Sequence, residues 1–358
     1  MAYIFARSPY IIEMNENDAI EYLVELRIWN GTGSAPTNPT YTLRKPIPST
    51  SNRKVAFNIS PYIKEFLSHP LFTNNHSAIA FLPSEEYCNV QIKKGKFTGS
   101  DVTVQIGQTE NHYGFDGYGL YTEGYNKNLG EFLLNPKTYY YHYVAGANLN
   151  NEPLKRAGNF TAFGGEDKEV FYLELGTGNL TRVALPLERW YIIPRVFSNY
   201  MAKGCTTSIC RGGGETCALI GTFKPKTECK YTPICCDFIN RYGAWQREYF
   251  FKASKNSINI ENSEYNLYQA FVNYDTKEGQ RKIFNTNYTE NITVNTDWVS
   301  EDFSENLREL MTSERILLDN RPVKLNTKSI ELQKHINTKM INYSLEFQYA
   351  FDIINNVI

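Results

Sequence analysis

Residues 234–251 read ICCDFINRYGAWQREYFF and hold a strand, a turn and a second strand in one short run. Cys236 and Phe238 alternate with Asp237. Asn240-Arg241-Tyr242-Gly243 then supplies a tight turn, because Asn and Gly tolerate positive φ and Asn can bond its own backbone. Trp245, Arg247, Tyr249 and Phe251 follow at period two and share one face.

The same pattern spreads in both directions. Tyr22, Val24, Leu26 and Ile28 alternate against Glu25 and Arg27, and Asn30-Gly31 follows directly. Short strands are expected near 41–43, 55–59, 78–82, 88–92 and 102–106. Ser60-Pro61 reads as an N-cap with Pro in the first helical turn, ahead of an apolar stripe Tyr62, Ile63, Phe66 and Leu67. Further strands are expected at 139–144, 170–175, 181–185, 190–196, 257–260, 268–274, 291–295, 316–318 and 323–332. The cleanest strand is the last, where Ile341, Tyr343, Leu345, Phe347, Tyr349 and Phe351 alternate with polar residues or Ala350. One face of it must be buried, which places it at the centre of its domain or under a neighbouring subunit. Before it, Ser300 is expected to cap a helix with an acidic first turn and a stripe of Phe303, Leu307, Leu310 and Met311.

These patterns predict a mainly β protein: tandem β-sandwich domains with a C-terminal α+β unit. The expected divisions are a sandwich with one short helix over 1–107, a Gly/Tyr-rich connecting segment over 108–130, a second sandwich with a cysteine-rich loop over 131–275, and the α+β domain over 276–358. Alternating strands ending in Asn30-Gly31 and in Asn240–Gly243, each followed by two more, suggest a duplicated domain.

Composition narrows the function classes. The 37 basic and 38 acidic residues leave a net charge of -1 with no long basic run, which disfavours nucleic acid as a primary partner. No window approaches twenty apolar residues, and the start lacks a basic region leading into an apolar one, so neither a membrane helix nor a secretory signal is expected. The 26 Tyr and 21 Phe imply extensive interfacial surface or an aromatic core.

Candidate chemistry is sparse. Six of the seven cysteines lie between Cys205 and Cys236 without a CxxC knuckle. Cys205, Cys210, Cys217 and Cys229 are the metal candidates, set against disulfides or plain core thiols. Arg211-Gly-Gly-Gly214 reads as a flexible tip. Glu166, Asp167 and Glu169, with Glu174 and Glu188 downstream, invite a glycosidase reading, against which stands a set of solvated turn acids. The five histidines, His69, His76, His112, His142 and His335, are scattered and carry no catalytic motif. Tyr113, Phe115, Tyr118, Tyr121 and Tyr125 in the Gly/Tyr segment have the composition of a paratope, rigid aromatics spaced by Gly.

Three segments, 230–254, 291–318 and 321–351, resemble structural proteins of tailed bacteriophages. The likeness is to tail, neck and ring components of Asn-rich phages infecting Bacteroidota, such as the crAss-like group. The resemblance implies a virion component, present in the host cytoplasm during assembly, that packs against copies of itself and neighbouring virion proteins without enzymatic activity or cofactor. A cysteine cluster is not part of that likeness. Two other classes stay open: a glycan- or receptor-binding module at a tail tip or baseplate, resting on residues 112–125, and a polysaccharide-degrading enzyme resting on Glu166, Asp167 and Glu169.

Overall fold

The computed structural model describes residues 3–69, 78–99, 103–126, 140–143, 158–226, 230–268, 275–331 and 340–354. The protein is mainly β, with 50% strand and 10% helix among the described residues. Two compact units emerge: residues 1–227 with 239–247, and residues 228–238 with 248–358. These borders differ from the expected divisions at 107, 130 and 275.

Unit 1 begins with strands β1 (Tyr3–Phe5), β2 (Ile11–Met14), β3 (Glu21–Asn30), β4 (Tyr41–Pro46) and β5 (Val55–Asn58). Helix α1 (Ser60–Lys64), β6 (Ala80–Phe81), β7 (Cys88–Phe97) and β8 (Thr103–Phe115) follow. One sheet has the order β1-β8-β7-β3-β4, with β1 parallel to β8. Tyr22, Val24, Leu26 and Ile28 fall on one face of β3 and are buried. Val90 and Ile92 sit opposite Ile28 and Leu26 on β7 and extend that face. The antiparallel pair β2-β5 covers it with Ile12, Met14, Val55 and Phe57, and α1 adds Ile63. Two apolar faces thus close a sandwich of unequal layers, burial of each side chain contributing about 1.5–3 kcal/mol.

Two expectations are corrected in this region, and one buried acid is new. Residues 108–115 are strand rather than connector, because β8 continues through Phe115 past a bulge at 107–109. The Ser60 side chain does not cap α1; it donates to the Ser8 carbonyl and accepts from the Tyr10 N–H at 2.8 Å. Glu86 lies buried in the short turn after β6, and burial, with Glu85 adding to it, pushes its carboxyl up to about 8.

The second half of unit 1 contains β9 (Tyr140–Tyr143), β10 (Asn159–Phe163), β11 (Lys168–Glu174), β12 (Leu180–Ala184), β13 (Trp190–Pro194), β14 (Cys205–Arg211) and β15 (Thr216–Pro225). They form a three-stranded sheet, β10-β13-β6, and a five-stranded sheet, β12-β11-β14-β15-β9. The Tyr172 hydroxyl of one sheet donates to the Pro194 carbonyl of the other at 2.8 Å, pinning the layers together. The expected cysteine-rich loop is therefore largely a hairpin, β14-β15. Arg211–Gly214 makes its tight connection, with Gly213 at φ 69.

Residues 239–247 are also grouped with this unit. Asn240 Oδ1 accepts the N–H groups of Tyr242 and Ala244 at 3.0 and 3.1 Å, and the Gly243 N–H donates to the Asn240 carbonyl. Gly243 has φ 82, and a Cβ there would lie 2.8 Å from the Asp116 backbone. Both the turn conformation and the packed neighbour require Gly.

Unit 2 comprises β16 (Ile234–Ile239), β17 (Trp245–Phe250), β18 (Lys255–Asn266), β19 (Arg281–Asn295), β20 (Val299–Ser300), α2 (Ser304–Met311), β21 (Ile316–Leu318), β22 (Arg321–Leu325), β23 (Met340–Ile341) and β24 (Ser344–Tyr349), save the few residues grouped above. The order of its seven-stranded sheet is β17-β16-β21-β22-β24-β19-β18. β24 lies between two neighbours, the central position its alternation demands, with Leu345 and Phe347 fully buried. Phe303, Leu307 and Leu310 on and before α2 are buried as the stripe predicts. Ser300 ends β20 and makes no side-chain cap. The expected duplication is not matched by topology: β5 pairs with β2 in a separate sheet, whereas β18 pairs with β19. Most of the expected strand at 268–274 and residues 332–339 lie outside the described residues.

Two stability tests follow from this packing. Gly243→Ala should lower unfolding free energy by about 2 kcal/mol, while Gly33→Ala, with nothing within 4 Å of the new Cβ, should change it by less than about 0.5 kcal/mol in urea titration. Glu86 keeps its proton in the folded state from its ordinary pKa up to about 8, whereas the unfolded chain loses it near that ordinary value. Its contribution therefore makes stability fall as pH rises through that window. Glu86→Gln should flatten the slope of melting temperature against pH between about pH 5 and 8 and make the variant more stable than the parent above it.

Candidate functional site

The stretch 113–126 divides at Phe115. β8 alternates, so Tyr113 and Phe115 point to the same side of the sheet. Phe115 is 0% exposed. It meets Trp190 with ring centroids 4.8 Å apart, while Tyr113 meets Trp190 at 5.7 Å and Phe163 at 5.5 Å. Burial, with Tyr87 and Glu188 adding to it, raises the Tyr113 phenol above its ordinary value. These two expected contact residues belong to an aromatic cluster, and Phe115 offers no surface.

Beyond Phe115 the chain leaves the sheet and is tied down at almost every step. The Arg7 N–H donates to the Gly117 carbonyl at 3.0 Å, and the Tyr118 N–H donates to the Arg241 carbonyl at 2.7 Å. The Arg7 guanidinium lies 5.1 Å from the Tyr118 ring centroid, so Tyr118 is half-buried beneath a cation. The Gly119 N–H donates to Ser8 Oγ at 2.9 Å. Glu123 accepts from the Leu120 N–H at 2.9 Å and pairs with Arg241 at 2.6 Å, both side chains largely shielded from solvent. Asn126 closes the loop with reciprocal bonds to the Ile11 main chain, 2.6 Å each.

What this fixed loop displays is Tyr121, 88% exposed, and Tyr125, 63% exposed, with Leu120 beside them. The hollow between them and Tyr10 is about 50 Å³. Ordinary ligand pockets begin near ~300 Å³, so the feature suits contact with a surface better than enclosure of a small molecule. Large aromatics held on a rigid loop lose little freedom on binding.

A second concavity, about 650 Å³ and open, lies beside the aromatic cluster. Tyr3, Tyr113 and Phe163 form its apolar wall, and Glu166, Asp167 and Glu188 its acidic rim, with Arg211. The fold thus brings together three of the five acids singled out in the sequence. Glu174 lies at the opposite end of β11 from those acids. It is bonded by Thr177, Asn179 and Lys203, and the Thr177 hydroxyl is the largest influence holding its carboxyl below the usual range. Glu169 is half-buried on β11 and does not line the cleft.

The metal set is not assembled. Cys210 and Cys217, directly opposite on β14 and β15, form a disulfide. Cys205 is buried opposite Phe223, and burial raises its thiol. Cys229 lies outside the described residues. Among the described residues no group of three or more His, Cys, Asp or Glu side chains is placed to hold a metal ion. Burial also pushes the Cys88 thiol up to about 12, which makes it an inert core residue. His69 pairs with Asp116 at 3.3 Å and His112 with Glu110 at 3.3 Å. His76 and His335 lie outside the described residues.

The chain matches no family profile, no curated protein and no solved structure.

Because the disulfide closes a short loop, its removal in Cys210→Ser/Cys217→Ser should cost about 2–3 kcal/mol. Non-reducing peptide mapping should show residues 210 and 217 linked, and the double variant should melt at a lower temperature than the parent.

Proposed function

We propose that the protein is a repeated structural subunit of a tailed-phage virion, in a tail, neck or ring layer, and that it acts through protein–protein contacts. The observation that carries this is the fixed loop 117–126. It presents Tyr121, Tyr125 and Leu120 to solvent while its backbone is bound to Arg7, Ser8 and Arg241 and its Asn126 side chain to Ile11. A pre-ordered aromatic surface is how a subunit recruits neighbours without a large entropic cost. The likeness of segments 230–254, 291–318 and 321–351 to phage structural proteins supports the same assignment, with partners that are copies of this chain and adjoining virion proteins. Such a role calls for no cofactor and no reaction.

A second reading, a glycan-binding module, draws on the open cleft. Its wall of Tyr3, Tyr113 and Phe163 faces Glu166, Asp167 and Glu188, the pairing of ring faces with hydrogen-bonding groups that suits a sugar.

Light scattering and negative-stain images of the purified protein separate the two. A closed ring or stacked layer is expected. Tyr121→Ala/Tyr125→Ala should weaken that assembly at least about tenfold with the melting temperature unchanged, since both side chains are exposed. A protein that stays a single chain and binds host polysaccharide, with binding lost in Glu166→Gln/Asp167→Asn, would overturn the subunit reading in favour of the second.

A further inference from the structure

β18 is the outer strand of the seven-stranded sheet and pairs with β19 along its inner side. All of its residues, Lys255–Asn266, are exposed. Among the described residues no strand lies along its outer side, which leaves a row of main-chain donors and acceptors for another strand. Natural edges are usually blunted by proline, by a bulge, by brevity or by charged side chains, and of these β18 carries only Lys255, Glu261 and Glu264. β18 contains neither Pro nor Gly. The irregularity of the ribbon falls in its neighbour: Glu261 and Ser263 face Asn287 and Phe284, so the extra residue belongs to β19, where Asn285 has φ 48. β18 therefore keeps strict alternation. Ile258 and Ile260 stand on one face, 60% and 65% exposed.

We propose that β18 is a homotypic docking edge at which two copies of this chain pair antiparallel about a two-fold axis through Asn259. The order of side chains selects a second copy as the occupant. Matched faces require residues of like parity to sit opposite each other. One such register sets Ile258 against the partner's Ile260 and Ile260 against the partner's Ile258, joining four exposed isoleucines into one apolar strip. It also sets Asn256 against the partner's Asn262 and Asn259 against itself.

Charge agrees with this register. Over the paired stretch 255–263 the charged residues are Lys255 and Glu261. Lys255 falls diagonal to the partner's Glu261, about 7–8 Å away, and the two-fold repeats the contact. Moving the axis to Ile260 would leave Ile258 facing Asn262, and a one-residue slip would set Ile258 against Glu261. The edge is self-complementary in main chain, apolar pattern and charge, as an isologous contact must be. The pairing takes its biological setting from the subunit role proposed above, yet physically it requires only two copies.

The test uses the full chain. At the self-opposed position the Cα atoms are about 4.5–5.5 Å apart, within disulfide reach. Asn259→Cys should therefore cross-link two copies under mild oxidation. Glu261→Cys, more than about 13 Å from its counterpart in this register, should not, and the parent should not. Ile258→Lys/Ile260→Lys changes two exposed side chains and should raise the dissociation constant of the pair at least about 100-fold, read by light scattering, with the melting temperature of dilute protein unchanged. A parent that stays monomeric at about 100 μM overturns the pairing. So does an assembly whose mass is unchanged in the double-lysine variant and that gives no cross-link at 259; if rings are still imaged, the subunit role survives that failure. A cross-link at 259 without any larger assembly supports the edge and counts against the layer.

Discussion

Unit 1 depends on the burial of Trp190. Its indole is 1% exposed and packs against Tyr3, Tyr113, Phe115 and Phe163, with centroids 4.8 to 5.7 Å away. Those rings come from β1, β8 and β10, and Trp190 itself opens β13. Elements of both sheet systems of the unit therefore share one aromatic cluster, joined by Leu82, Ile192 and Tyr242. Edge-to-face contacts of this kind add about 0.5–1.5 kcal/mol per pair beyond area burial, and they are directional. The cluster fixes where β8 ends, and with it where the loop after Phe115 begins. Gly117 then passes against Phe5 and the Arg241–Tyr242 backbone, and the exposed tyrosines of the loop inherit their position from that approach.

This explains which parts of the surface could be read in the sequence. The Gly/Tyr composition of 112–125 marks aromatics spaced by glycine, of which Tyr121 and Tyr125 are exposed, but it cannot divide that stretch, since Tyr113-Gly-Phe115 and Tyr121–Tyr125 are chemically alike. Period two continued through Gly114 was the available signal, because a strand that keeps alternating puts Tyr113 and Phe115 on one side. The acids show the opposite limit. Glu166, Asp167 and Glu188 share a cleft because β10–β11 and β12–β13 turns meet there, a long-range fact that spacing does not carry.

The cysteines and caps show the same limit. Thr206–Ile209 and Ala218–Gly221 flank the glycine turn Arg211–Gly214 and pair as a hairpin, although neither run alternates polar with apolar residues. Cys210 and Cys217 then face each other as a consequence of register. Ser60 precedes Pro61 as a cap should, yet its hydroxyl is taken by Ser8 and Tyr10, which lie about fifty residues away. A local rule yields when tertiary partners offer more hydrogen bonds. In unit 2 the alternation from Ile341 marks a face to be buried, and Leu345 and Phe347 of β24 are buried, whereas Phe351, beyond the end of the strand, is 67% exposed.

β18 alternates as well, with Ile258 and Ile260 on one side, and sequence alone treats that as the mark of a buried face. The structure leaves the face outside. An alternating apolar pattern therefore states a demand for cover without saying who supplies it. The main-chain edges of β24 are filled by β19 and β22 of the same chain; the outer edge of β18, on the proposed pairing, is filled by another copy. The symmetry of the two proposed contacts then matters. An isologous edge closes on itself and makes pairs, so it cannot by itself build a ring, whereas a loop that meets a different patch on its neighbour can. The loop belongs to unit 1 and the edge to unit 2, so the two contacts use separate residues. A layer built from both would have rings held by the heterologous contact and two-folds relating one ring to the next. On the two proposals taken together, dihedral assembly would satisfy each contact and leave no β18 edge open.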